Sequence, residues 1–155
     1  VRSWLDVCVL LTTRASWLCR SSFFFLMIRR PPGSTLLPYT TLFRSQAVGD
    51  FYADLREHDA ADNVILLMFS EFGRRVRDNG SGTDHGAAGA AFVIGDAVKG
   101  GQYGEFPSMK PEDLQQGDLV PDMDFRGLYT TVLEDWLGLD AKPIVKGNFE
   151  APRFL

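Results

Sequence analysis

Four stretches of the chain carry a readable pattern of apolar and polar positions. Val48, Phe51, Tyr52 and Leu55 recur at helical spacing, with Asp50, Asp54, Arg56 and Glu57 on the other side, which predicts an amphipathic helix over residues 46–58. A polar turn, 59–63, leads into Val64–Phe69, which is apolar at every position. Continuous apolarity of that length predicts a strand covered on both faces, the habit of buried parallel strands. Residues 90–94 form a second short apolar run and predict a second strand. The longest pattern is Phe125, Leu128, Tyr129, Val132, Leu133, Trp136 and Leu137, a stripe at i, i+3, i+4 and i+7 spacing. It predicts a helix that Asp122 or Asp124 caps and Gly138 ends, with Trp136 as a core anchor.

The connections are read from their turn residues. Eight of the fifteen glycines fall between Gly80 and Gly104, which predicts loops with positive-φ backbone or close approach to a ligand. Neither phosphate-cradling glycine pattern, Gly-x-x-x-x-Gly-Lys-Ser/Thr or Gly-x-Gly-x-x-Gly, is present. Pro107, Pro111 and Pro121 mark an irregular connection with one helical turn after Pro111. The tail over 141–155 is broken by Pro143 and Pro152, so it is expected to be mostly irregular, with Phe149, Phe154 and Leu155 docking on the domain.

Charge divides the chain near Ser45. Residues 1–45 hold six arginines against the single acid Asp6, a net charge of +5; residues 46–155 hold ten basic and nineteen acidic residues, a net charge of −9. A basic arm of this kind ordinarily points to nucleic acid or a membrane surface. Here residues 27–45 resemble the translation of a sequencing-library adapter oligonucleotide, so no nucleic-acid partner is inferred. Residues 1–45 are expected to be an irregular or poorly packed, artefactual segment and no domain, and 46–155, long enough for one small domain, to be the C-terminal part of a larger one that leaves an exposed sheet edge. Cys8 and Cys19 both precede the seam and say nothing of a redox compartment. The apolar run 23–28 is far short of the roughly twenty residues that span a bilayer, so no membrane span is expected.

The candidate chemistry sits around residues 63–86. Strand Val64–Phe69 delivers Glu71 to its end, and a glycine-rich loop returns Asp84 and His85. In open α/β sheets, ligands gather outside the carboxyl ends of the strands. Carboxylate and imidazole donors together suit zinc, manganese or iron, and oxygen-rich sites also take calcium or magnesium. Neighbouring side chains of an extended segment point opposite ways, so Asp84 and His85 serve either two ions or one ion and an orienting contact. The alternative is purely structural: Glu71 accepting backbone hydrogen bonds at a helix start, and Asp84-His85 as a turn in which the carboxylate orients the imidazole. Arg74, Arg75 and Arg77 form either a solvated cationic edge or the anchor for a small anionic substrate.

Ser70-Glu71-Phe72-Gly73-Arg74-Arg75, the Asn79 to Gly86 run, Val98-Lys99-Gly100-Gly101, Tyr103-Gly104-Glu105-Phe106-Pro107 and the helix after Asp124 together resemble the C-terminal part of a bacterial family catalogued as domain of unknown function 1501. The resemblance covers essentially all of residues 46–155. That family is similar to the alkaline phosphatase and sulfatase superfamily, which implies an α/β fold with a mostly parallel sheet flanked by helices and a site at the strand ends. It further implies a metal-dependent phosphoester or sulfoester hydrolase with a divalent ion (zinc, calcium, magnesium or manganese) held by Glu71, Asp84 and His85. Arg74 and Arg75 would hold the ester substrate. Phe72 stands where the superfamily places a ligand histidine, so a two-zinc site is incomplete. The superfamily's first ligand aspartate and its nucleophile fall upstream of Gln46, so the catalytic residue is unknown and this chain is expected to be inactive. Family members often carry a twin-arginine signal, which implies a parent exported to the periplasm or secreted; localisation is not legible in the chain itself. The competing expectation is a non-catalytic cell-envelope binding protein that keeps the hydrolase fold.

Overall fold

A computed structural model of the chain describes residues 8–13, 24–25 and 37–155. In chain order these are β1 (Cys8–Thr13), β2 (Phe24–Phe25), α1 (Leu37–Glu57), β3 (Val64–Phe69), β4 (Gly73–Asp78), β5 (Thr83–Gly86), β6 (Ala91–Ile94), α2 (Phe125–Thr131) and α3 (Lys142–Val145). Single 3-10 turns at Ala61–Asn63 and Pro111–Asp113 and a π turn at Val132–Trp136 complete the set. The content is mixed α/β, as the periodicity predicts.

The main sheet runs β2-β1-β3-β6, and β4 and β5 form a separate two-stranded ribbon. β3 is the central strand: Leu66 pairs with Ile94 and Phe69 with Ala91 on one side, while Val64 pairs with Thr13 and Phe69 with Cys8 on the other. Val64 to Leu67 are buried, and Ile65, Leu66 and Leu67 are the largest fully buried aliphatic side chains. Each such side chain contributes about 1.5–3 kcal/mol through burial, which is why an uninterrupted apolar run occupies this position.

The expected parallel sheet is corrected here. Every pairing among the described strands is antiparallel. A parallel return from β3 to β6 needs a crossover, usually a helix. The intervening residues instead form the β4–β5 ribbon, so β6 comes back antiparallel beside β3. Continuous apolarity therefore reports a central, doubly covered strand and is silent on its direction. The expectation of an irregular 1–45 segment is also corrected in part. Cys8–Thr13 lies along β3, and the helix over 46–58 begins earlier, at Leu37, running through the Ser45 seam with Pro38 in its first turn, where proline is tolerated. The remainder of 1–45, including most of the adapter-like stretch, lies outside the described residues.

The second half of the core is built on α2. Asp124 caps it as expected, its carboxylate accepting from the Arg126 amide at 2.9 Å. Gly138 ends the following π turn at φ 65°, and the Leu139 amide reaches back to the Leu133 carbonyl at 2.8 Å. Tyr129 meets Phe69 edge to face at 6.1 Å, joining α2 to β3. Trp136 is buried, as the stripe predicts, and Phe154 docks at 2% exposure. The tail is more ordered than expected, since Lys142–Val145 forms a helical turn that carries Pro143 near its start. Residues 150–155 pass along α2, where the Thr131 hydroxyl donates to the Pro152 carbonyl at 2.7 Å. They then reach the 99–103 loop, where the Lys99 amide donates to the Phe154 carbonyl at 2.8 Å.

Candidate functional site

The segment expected to be a glycine-rich loop carrying Asp84 and His85 is a β-ribbon. Its sequence hides this, because Gly-Arg-Arg-Val-Arg-Asp has no apolar alternation and Thr-Asp-His-Gly is exposed at two of its four positions. Pairing is set by glycines. Gly73 lies opposite Gly86 and Arg74 opposite His85. A Cβ on Gly73 would stand 1.4 Å from the Ala88 carbonyl oxygen, and one on Gly86 would stand 2.6 Å from an Asp118 carboxylate oxygen and 2.8 Å from the Arg74 backbone. Both motif glycines are therefore required for close backbone approach. The turn at the far end is held by side-chain contacts. The Asp78 carboxylate accepts from the Gly80 amide at 2.7 Å, and the Asn79 side-chain oxygen accepts from the Ser81 amide at 3.0 Å.

Between the pairs Arg74–His85 and Asp78–Thr83 the register is irregular: three residues, Arg75 to Arg77, stand opposite the single Asp84. A bulge of this kind bends the strand and re-aims its side chains. Arg75 and Arg77 are exposed, whereas Arg74 is half-buried and spends its guanidinium on the Thr83 carbonyl at 2.7 Å. Of the two arginines expected to hold substrate, Arg75 faces solvent and Arg74 closes the ribbon.

The three expected metal ligands do not come together as one ligand set among the described residues. Glu71 is exposed at the bend between β3 and β4. Asp84 accepts from the Asn79 side-chain amide at 2.7 Å. His85 stacks on Phe72, with ring centroids 3.8 Å apart and planes 16° from parallel, and the Arg74 guanidinium lies 5.9 Å from the same Phe72 ring. The Phe72 ring thus covers one face of the His85 ring. Among the described residues, no group of three His, Cys, Asp or Glu side chains could hold a metal ion. The donor types suit a divalent ion.

Two other charged clusters frame the fold. Arg56 of α1 pairs with Asp96, just after β6, at 2.9 Å, and this contact holds the Asp96 carboxyl below its usual range. Burial, ahead of the Asp96 carboxylate, pushes the nearby Tyr52 phenol up. At the start of α2 the Arg126 guanidinium forks onto Asp124 at 2.8 and 2.6 Å, which takes the Asp124 carboxyl down to about 2. Arg126 also covers the Phe149 ring at 4.0 Å.

A family model described as "Protein of unknown function (DUF1501)" matches residues 44–152, well over half of the chain. The chain belongs to the DUF1501 family. Searches of the curated proteins and of the solved structures returned no match. The DUF1501 match spans β3 to α3 and every residue discussed in the ribbon. Within this DUF1501 chain, the residue missed from sequence is Asp118, which bonds to the end of β5 from 31 positions away. Its local signal was Gln-Gln-Gly-Asp, a turn sequence inside a stretch read only as an irregular connection.

Proposed function

We propose that this chain is the C-terminal part of a metal-dependent phosphoester or sulfoester hydrolase of the DUF1501 family, and that the chain by itself is inactive. One observation carries the reading: the Glu-Phe-Gly and Asp-His-Gly motifs, separated in sequence, become cross-strand neighbours, with Gly73 against Gly86 and Arg74 against His85. Residues of the two motifs thereby lie on paired strands, and the exposed Arg75 and Arg77 beside them suit an anionic ester. The resemblance to the alkaline phosphatase and sulfatase superfamily supplies the reaction class. Nucleophilic catalysis needs an activated nucleophile within reach of its activator, and the superfamily's nucleophile and first ligand aspartate fall upstream of Gln46. In that region this chain carries the adapter-like stretch. The parent is expected to be exported.

The test is the authentic upstream sequence, read across the junction of Ser45 and Gln46, followed by metal analysis of the full-length parent. A strand ending in Asp, a following Ser, Thr or Cys and a bound divalent ion support hydrolysis. The stacking of Phe72 on His85 favours the second reading, a non-catalytic cell-envelope binding protein. A parent without nucleophile and without metal would establish that reading in place of the first.

A further inference from the structure

We propose that Asp118 is the positioning residue of the Asp84-His85-Gly86 strand, fixing where His85 is presented. The inference rests on the reading of this ribbon as part of the functional site. The Asp118 carboxylate accepts from the Ala87 amide at 2.9 Å through one oxygen and from the Leu119 amide at 2.9 Å through the other. It reaches β5 because Gly86 has no side chain: a Cβ there would lie 2.6 Å from the carboxylate. Gly86 is buried beneath this contact.

The loop is shaped to deliver that one side chain. Residues 115–118 make a tight two-residue turn, closed by the Gln115 amide on the Asp118 carbonyl at 2.9 Å and the Asp118 amide on the Gln115 carbonyl at 3.0 Å. Its two central residues, Gln116 and Gly117, have φ of 54° and 82°. Positive φ at both centres is the primed turn that glycine and asparagine favour. Glutamine there is a local cost that persists only when the surroundings impose it. The turn has few apolar contacts of its own, since Gln115, Gln116 and Gly117 are all exposed. What it places is the carboxylate that ties a long surface loop to the end of β5. Through β5 that tie sets the His85 ring, whose stack on Phe72 depends on the position of the strand.

The stack gives a direct readout, because a ring lying over Phe72 has its proton resonances moved upfield by the aromatic ring current. In the full chain, the His85 ring protons are expected upfield of free histidine and the Ala87 amide is expected to be protected from exchange. In Asp118→Ala the His85 resonances return toward the free value, and Ala87 exchange rises by about tenfold, the scale of one charge-assisted hydrogen bond. Asp118→Asn keeps one acceptor oxygen and falls between the two; it also serves if the alanine variant fails to fold. A purely structural loop contact would loosen the 105–121 loop and leave the His85 stack in place. Unchanged His85 resonances in either folded variant, or an unshifted His85 in the parent chain, overturn the proposal. The readout needs neither metal nor substrate, so failure of the hydrolase reading leaves it standing and its own failure is seen separately.

Discussion

Replacing Gly73 by alanine pits two effects of opposite sign against each other. Glycine inside a strand is less stable than alanine by roughly 0.5–1 kcal/mol, because it gives up more backbone freedom on folding. That term alone would make Gly73→Ala stabilising, as Gly73 is not among the residues of positive φ. The steric term opposes it. The new Cβ would lie 1.4 Å from the Ala88 carbonyl oxygen and 2.4 Å from the Ala88 carbonyl carbon. Ordinary contact is about 3.5 Å, so one of the two backbones must retreat by roughly 2 Å. No flexible side chain is there to yield. Overpacking costs about 1–3 kcal/mol, and the retreat also breaks the pairing of Gly73 with Gly86 and the stack of Phe72 on His85. The expected net loss is about 2 kcal/mol, read as a lower midpoint in urea denaturation with an unchanged slope, together with loss of the His85 ring-current shift. A Gly73→Ala chain as stable as the parent, with His85 still stacked, would refute the close-packed ribbon.

Gly49→Ala is the matched contrast: Gly49 sits in α1 with no atom within 4 Å of its missing Cβ, so stability is expected to rise by about 1 kcal/mol in the same urea assay. Thr131→Val removes the bond to the Pro152 carbonyl from a buried site and is expected to cost about 1–2 kcal/mol, with faster amide exchange along residues 150–155. Asp124, held down to about 2 by Arg126, gives stability that is fully present above its unfolded value of 3.8 and is lost as pH falls through about 2. Acid unfolding of Asp124→Asn is therefore expected to show a shallower stability loss between pH 4 and 2 than the parent chain.

What was legible in the sequence follows apolar run length. β3 and β6 were both found from their apolar runs, although only β3 is covered: Val64 to Leu67 are buried, whereas Ala91 and Phe92 of β6 are exposed. The direction of β3 was not legible, because strand sense depends on the path between Phe69 and Ala91, where glycine and arginine carry no periodic signal. The same lack hid β4 and β5: ribbon strands that bury little leave no alternation to read, and their pairing is written in what glycine permits, the contacts with Ala88 and Asp118. In α2 the stripe located the helix but only part of its buried face. Gly127 and Thr131 lie off the stripe and are buried against residues 150–152. That second face is visible only once the tail is seen to pass there. For the candidate site, residue types and spacing singled out Glu71, Asp84 and His85 only as candidates, while the stack that occupies His85 came from Phe72, whose role as a ring partner has no sequence signature.

The most direct test is turnover by the purified chain on aryl phosphate and aryl sulfate esters, with zinc, manganese, magnesium or calcium added, beside the double variant Glu71→Ala, His85→Ala. The expected result is no metal-dependent rate above that control. Metal-dependent turnover that the two substitutions abolish would contradict the incomplete site and place a working hydrolase within these 155 residues.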